Sequence, residues 1–429
     1  MGIRRAGWAL LAGAAAAAVI AAGTGTASAA STTMLVSGNL AGQPGNGHSF
    51  FPSISADGRT VVFRSTSGNL VPGHGAVREV YLLDRDFGHG LEVVSVADDG
   101  SPSNGHSGNI TQASRGGLYV VFDSLGSNLV AGDTNNTFDV FVRMRFAGAP
   151  HTERESVATN GTQANGASFA QGISGDGRLV LFASDATNLV AGDTNGVADL
   201  FVRDRGYRMT TRVSVSSTGE QANNYAADAK ITPSGRYVVF RSPATNLVPG
   251  DTNDTEDVFV RDRFTGKTER ASLDSTGAQL PGGGTSPSIS ADGRYVTFTG
   301  HDSRGSSQGF LRDRTAGTTR QVSVSGTGAA ANGMSGRAAL SANGRYLAFE
   351  SAATNLVPGS GGQQIYVRDL QAGTTTLVSV STAGKPGNSV SFFPSVTDTG
   401  AVAFQSLAHN LLPPGVTSAG TYQVFLRNT

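Results

Sequence analysis

The chain of 429 residues contains no cysteine. That excludes disulfides, thiolate metal sites, a cysteine nucleophile and a lipoprotein anchor. Charge is also scarce. Only 15% of residues are Asp, Glu, Lys or Arg, and 32 basic residues balance 32 acidic ones. A neutral chain has no electrostatic footprint for nucleic acid or for an anionic membrane surface. Beyond the first thirty residues no run is apolar enough to cross a bilayer, so no membrane span is expected after processing. Catalytic motifs are missing too: there is no G-x-S-x-G elbow, H-E-x-x-H, Walker loop or G-x-G-x-x-G after a strand. Gly333-Met334-Ser335-Gly336 misses the elbow by one residue.

Glycine is abundant instead, at 58 residues, with no collagen-like period. Such a chain is rich in turns. Residues 1–29 read as a secretory signal peptide. Arg4 and Arg5 supply the positive end, Trp8 to Ala22 the apolar stretch, and Ala27-Ser28-Ala29 the cleavage signal. The mature chain, 30–429, is expected to start near Ala30 and to be secreted, by the general or the twin-arginine route.

Self-comparison of that chain reveals one unit written seven times. A short apolar strand, a Gly turn, an aromatic-ended strand, an Asn-Leu loop and a strand ending in Arg-Asp-Arg recur. The aromatic anchors are Phe63, Phe122, Phe182, Phe240, Phe298, Phe349 and Phe404. In the fourth unit the strands are read at Ile231-Thr232, Tyr237 to Arg241, Asp257 to Arg261 and Glu269 to Leu273, joined by Gly-containing hairpins. Four strands repeated seven times signal an all-β, seven-bladed β-propeller. The ends of the chain agree. The seventh unit stops at its third strand, Val424 to Arg427, while Thr33 to Ser37 stands alone before the first. Gln43-Pro44-Gly45-Asn46 and Phe50-Phe51-Pro52-Ser53 follow that lone strand. Lys385-Pro386-Gly387-Asn388 and Phe392-Phe393-Pro394-Ser395 follow the sixth unit's fourth strand. The N-terminal strand is therefore expected to complete the last blade and close the ring, removing two open edges.

Ser290-Ala291-Asp292-Gly293-Arg294-Tyr295-Val296-Thr297-Phe298, with Asp199-Leu200-Phe201-Val202-Arg203-Asp204, resembles the TolB-type propeller repeat. In that family an (S/P)-D-G-(K/R)-x-(I/V)-x-F hairpin precedes an (I/V)-(Y/F)-V-x-D strand. The resemblance covers the whole mature chain and looks like that of a secreted actinobacterial member. It implies the propeller fold but little about function. The same repeat serves periplasmic envelope scaffolds and the non-catalytic propellers of serine peptidases. Two departures stand out: the family's periplasmic member has six repeats beside a separate domain, and its peptidase relatives add an α/β-hydrolase domain.

Three repeats share a D-x-N-x-x-x-D loop: Asp133, Asn135 and Asp139; Asp193, Asn195 and Asp199; Asp251, Asn253 and Asp257. Alternating oxygen ligands beside a Gly suit a hard cation such as Ca²⁺, and they equally suit Asx-turns. A second ring of side chains sits in the connections between units: Asn46, Asn104, Asn165, Asn223, Asn332 and Asn388, with Pro281 in the fifth and with His48 and His106 after the first two. These Asn and His residues are candidates for a ligand face around the channel mouth, and Asn-Gly turns explain them as well. The Asn-Leu pairs are expected to tuck a leucine under a loop, and the Arg-Asp-Arg triplets to brace the outer hairpin by local ion pairs. The expected function is a monomeric, exported binding or scaffold protein for an extracellular or cell-envelope protein, peptide or glycan. The alternative is a hydrolase or lyase acting on an extracellular carbohydrate or lactone, which calls for an acid, a histidine and an arginine converging at the channel mouth.

Overall fold

A computed structural model describes residues 32–86, 90–145, 150–418 and 420–429. The expected signal peptide lies outside the described residues. The described chain forms seven antiparallel sheets of four strands each. The fourth blade is representative, with strands Ala227–Ile231, Tyr237–Ser242, Asp257–Asp262 and Lys267–Arg270 running from the inside out. The inner strand thus starts earlier than the apolar pattern suggested, because its first half is polar and faces the channel. The outermost strand sits two residues earlier than expected. Among the described residues no helix is long and apolar enough to cross a membrane.

Each blade is centred on one aromatic pair. The repeat anchor on the second strand lies directly opposite an aromatic on the third, as in Phe182 with Phe201 and Phe240 with Phe259. In all seven blades the paired rings stack with centroids 5.6–5.9 Å apart. Both faces of the second strand are buried, because each blade is sandwiched between two others. Leu181 and Leu200 of the third blade, for example, pack with Ile231, Val238 and Phe240 of the fourth. This explains why the second strands read as continuous apolar runs rather than alternating ones. The first hairpin of each blade turns through a glycine with positive φ, as at Gly177 (φ 76°). A Cβ there would strike the ring of Tyr119 in the preceding blade, so both torsion and space require glycine.

The ring closes as expected. Thr33–Leu35 pairs with Gln423–Arg427, placing Met34 opposite Leu426. Val36 is buried behind it, and Ser37 Oγ donates to Gln423 Oε1 at 2.6 Å.

The Arg-Asp-Arg triplets brace the outer hairpin as expected, by hydrogen bonds such as Arg261 Nη1 to Gly266 O at 2.6 Å, and also reach beyond it. Their Asp accepts a bidentate arginine from the first hairpin of the same blade, Arg178 on Asp204, Arg236 on Asp262 and Arg294 on Asp313, and Asp369 of the sixth blade's Arg368-Asp369-Leu370 accepts Arg345 in the same way. Their first Arg donates to a carbonyl of the connection arriving from the preceding blade, as in Arg312 to Asp274 O at 2.8 Å. Their last Arg reaches back a blade, with Arg205 on Glu153 and Glu155, and Arg314 on Glu269. The triplet ties each blade to the preceding one because residues two apart on a strand share a face, so that both arginines point the same way.

These ion pairs set an acid limit. The Arg345 guanidinium holds the Asp369 carboxyl down to about 2, and Arg178, Arg236 and Arg294 hold Asp204, Asp262 and Asp313 below the usual carboxylate range. A carboxyl depressed in the folded state stabilises above its unfolded pKa and loses that contribution as pH falls. The melting temperature is therefore expected to hold above about pH 4 and to fall towards pH 2. Replacing the four arginines by methionine should lower the melting temperature above about pH 4 and shrink the fall towards pH 2, because carboxyls no longer depressed titrate alike in the folded and unfolded chain; an undiminished fall would place the acid sensitivity elsewhere.

Candidate ligand site at the channel mouth

The inner strands line a central cavity of about 790 Å³. All seven carry a register shift against their second strand. In five blades the residue at the bulge is a non-glycine in the left-handed region: Phe51 (φ 52°), Asp228 (52°), Ser286 (50°), Arg337 (43°) and Phe393 (54°). Each such residue costs on the order of 1 kcal/mol that glycine would not. All five line the cavity.

A supporting ring from the second strands and neighbouring inner strands holds this backbone. Phe51 N donates to Gln405 Oε1 (3.0 Å), Arg337 N to Thr299 Oγ1 (3.2 Å), Phe393 N to Glu350 Oε2 (3.3 Å) and Ala229 N to Gln171 Oε1 (2.9 Å). In the second blade Asn109 N donates to Asp123 Oδ1 at 2.7 Å, and complete burial pushes that carboxyl up to about 6.

The mouth is asymmetric. On one side Phe51 and Phe393 meet edge to face, with centroids 4.3 Å apart. The Arg64 guanidinium lies 4.3 Å over Phe51 and that of Arg337 4.2 Å over Phe393. Phe50, His48 and Tyr422 continue this aromatic wall outward. Across the cavity Asp228 sits 3.6 Å from Arg241, and Lys230 lies one step deeper. Lys230 is exposed to the channel, yet the surrounding wall desolvates its ammonium and lowers its pKa, with Arg337 adding to the effect. Behind Arg337, burial pushes the Glu350 carboxyl up.

None of the eight candidate Asn and His residues lines this cavity. They lie in exposed connections further out, and each has a structural partner. Asn165 N donates to Asn188 Oδ1 (3.1 Å), Thr187 N to Asn165 Oδ1 (2.9 Å), and Asn188 Nδ2 to Gln163 O (2.8 Å). The same asparagine clasp joins Asn46 to Asn69, Asn104 to Asn128, Asn223 to Asn246, Asn332 to Asn355 and Asn388 to Asn410. The fifth blade, with Pro281, has instead a tight turn between Tyr295–His301 and Ser307–Asp313, so there is no long loop to clasp. The leucine beside each clasp is buried, as expected. Asn165→Ala should cost about 1 kcal/mol in urea unfolding, through the lost bonds of one loop. A larger loss would mean the clasp also carries packing. His48 and His106 are likewise used: their Nδ1 atoms accept from Tyr422 N and Arg78 N across blade boundaries, both at 3.1 Å.

The D-x-N-x-x-x-D loops hold a cation supplied by the chain. Arg212 Nη1 lies 3.2 Å from Asp193 and 2.8 Å from Asp199, and Arg270 bridges Asp251 and Asp257 at 3.2 and 3.0 Å. Arg154 stands the same way beside Asp133 and Asp139. Asn135 and Asn195 donate to Asp139 and Asp199, both at 2.9 Å, and Asn253 to Leu280 O at 3.0 Å. Burial pushes the Asp133, Asp193 and Asp251 carboxyls up against the pull of these arginines. Comparison of the repeats explains the acid. Where the outermost strand carries Arg154, Arg212 or Arg270, the third strand begins with Asp. Where it carries Gln321, Leu377 or Leu35, the third strand begins with Gln308, Gln364 or Gln423. In all six a serine hydroxyl donates to that side-chain oxygen. In these six blades the Asp accompanies the arginine; in the first blade the third strand begins with Glu79 opposite no arginine, the outermost strand carrying Val93, and His74 Nδ1 lies 2.9 Å from that carboxylate instead. Among the described residues no group of three or more His, Asp or Glu is placed to hold a metal ion.

Asp228, Lys230, Arg337, Phe51 and Phe393 carried no motif that singled them out. One signal was available: Pro52, Pro287 and Pro394 follow the bulge in three inner strands, and proline inside a strand marks a break in the ladder. Of the acid, histidine and arginine an enzyme would bring to the mouth, Asp228 and Arg337 are present. No histidine lines the cavity among the described residues.

No family model and no curated protein matches the sequence. Solved structures do. The chain resembles the putative TolB from Agrobacterium tumefaciens at 16% identity and TM-score 0.41, over 65% of this chain and 81% of that one. It resembles the propeller domain of the Trilobed protease from Pyrococcus furiosus, described as having an open velcro topology, at 10% identity and TM-score 0.51, over 89% and 95%. It also resembles a Mycobacterium tuberculosis puromycin-hydrolyzing peptidase at 13% identity and TM-score 0.53, over 88% of this chain but 53% of that one. At these identities the likeness is one of fold alone, and the chain is a seven-bladed β-propeller.

Proposed function

We propose that this propeller is an exported binding module whose ligand, from the cell envelope or its surroundings, sits at the channel mouth on the face of the long loops. The observation that carries this reading is the ring of five strained, non-glycine residues facing one cavity. Glycine would relieve the backbone at each of these positions. Side chains kept there at a cost, and backed by a second ring of hydrogen bonds, are what a preorganised site requires. The cavity volume falls within the range of small-ligand sites.

Ala339 lines the channel at mid-depth. Ala339→Trp should fill the cavity while leaving the outer loops intact. Secreted chain, with its N-terminus sequenced to check for a start near Ala30, is immobilised as wild type and as this variant, then exposed to the secreted fraction and cell-wall material. A component retained by the wild type and lost from the plugged variant supports the site. Identical retention by both would remove the channel from the account.

A further inference from the structure

We propose that the channel mouth receives the free C-terminal carboxylate of an extended peptide, with Lys230 Nζ as the group that meets it. This rests on the reading of the channel mouth as the binding site and narrows the ligand within it.

The charge inventory of the mouth comes first. Asp228 is held by Arg241 at 3.6 Å, and Arg337 by Glu350 at 3.7 Å. At the far end of the channel Asp57 accepts from Ser55 Oγ and Asp398 from Asn343 N, and the Arg115 guanidinium that also lines that end acts on Asp57. Lys230 is left over. Among the described residues its ammonium has no hydrogen bond and no ion pair, and Asp228, which acts on it electrostatically, is already shared with Arg241. A single unmatched positive charge inside a desolvating cavity is best answered by a single negative one. A doubly charged phosphate would leave an excess.

The apolar surroundings decide what bears the carboxylate. A sugar acid needs an open aromatic face to stack on. Here guanidiniums cover a face of Phe51 and a face of Phe393, and the two rings meet edge to face. The wall next to Lys230 is Ile231, with Ile173, Ile289 and Leu340 at the same depth on other blades. That apolar ring would desolvate sugar hydroxyls that reach it, while the ring one step nearer the mouth, at the depth of Lys230, is polar, with Ser53, Gln112, Ser288 and Ser395. The apolar ring accepts an apolar peptide side chain readily. Gln171 and Ser286 remain at the mouth for the peptide backbone.

The test uses N-acetyl-Ala-Ala-Phe as the free acid and as its C-terminal amide, with trigalacturonic acid as the glycan arm, titrated calorimetrically into the full mature chain. The free acid should bind at least about tenfold tighter than the amide. Lys230→Met should lose that preference with an unchanged melting temperature, and Lys230→Arg should keep it. Equal binding of acid and amide by the wild type, or no binding of either at millimolar concentration, overturns the proposal without any variant. So does binding of trigalacturonic acid in preference to the peptide acid. If acid and amide bind equally while Ala339→Trp still abolishes capture of the envelope component, the channel site stands and the carboxylate does not.

Discussion

Arg212→Leu is expected to destabilise the propeller by about 3–5 kcal/mol, one of the largest losses available from one side chain here. Asp199 is fully buried and Asp193 nearly so, and the Arg212 guanidinium bridges the two. Removing it strands two carboxylates, while Ser214 Oγ still donates to one of them. The remedy is written in the sixth blade, where Gln364 and Leu377 occupy the corresponding places. Adding Asp199→Gln to Arg212→Leu should therefore recover part of the loss. Calcium supplies a second readout. The wild-type melting temperature should be indifferent to calcium and to chelator, because the guanidinium already sits between the carboxylates. Arg212→Leu, with two Asp and Asn195 left around an open position, should melt higher with calcium than without. A chelator-sensitive wild type would show that the loops take a metal after all. An inert Arg212→Leu would show that the pair contributes nothing.

The second large effect lies at the seam. A chain beginning at Asn39 lacks Thr33–Leu35, Val36 and Ser37. It should lose on the order of 5 kcal/mol, the sum of a buried valine, two half-buried apolar side chains and the orphaned partners of Ser37. Those partners are Gln423 Oε1 and Val424 N, both buried. The truncation also exposes the Gln423–Arg427 strand as an open edge, so aggregation should rise with the fall in stability. A chain beginning at Ser31 should match the full mature protein. Equal melting of the two truncations would mean that the ring does not depend on its closing strand.

Much of this architecture was legible in the residues because it is repeated. A hydrophobic period can be ambiguous in one copy and decisive in seven, and the seven anchors form the same stacked pair in every blade. Closure was legible for the same reason, since the sequence after Ser37 echoes the sequence after Val380. The asparagine rings were visible as a pattern, but their partners were not. Asn165 and Asn188 lie 23 residues apart, and only the folded blade brings the two loops together. The Asp loops were visible as oxygen donors, while Arg212, the cation they hold, lies on a different strand.

The site at the mouth was the least legible part, and the reason is geometric. A left-handed torsion at Phe51 or Arg337 leaves no mark in composition, since these residue types rarely adopt it. The proximity of Phe51 to Phe393 joins residues more than 300 positions apart, across the closed seam. The sequence by itself determined the unit, its number and its closure, because those depend on local propensity and on burial between identical neighbours. The tertiary structure alone decided which side chains face the channel and which charge is left unmatched there. Those follow from where each inner strand bulges once seven blades share one axis.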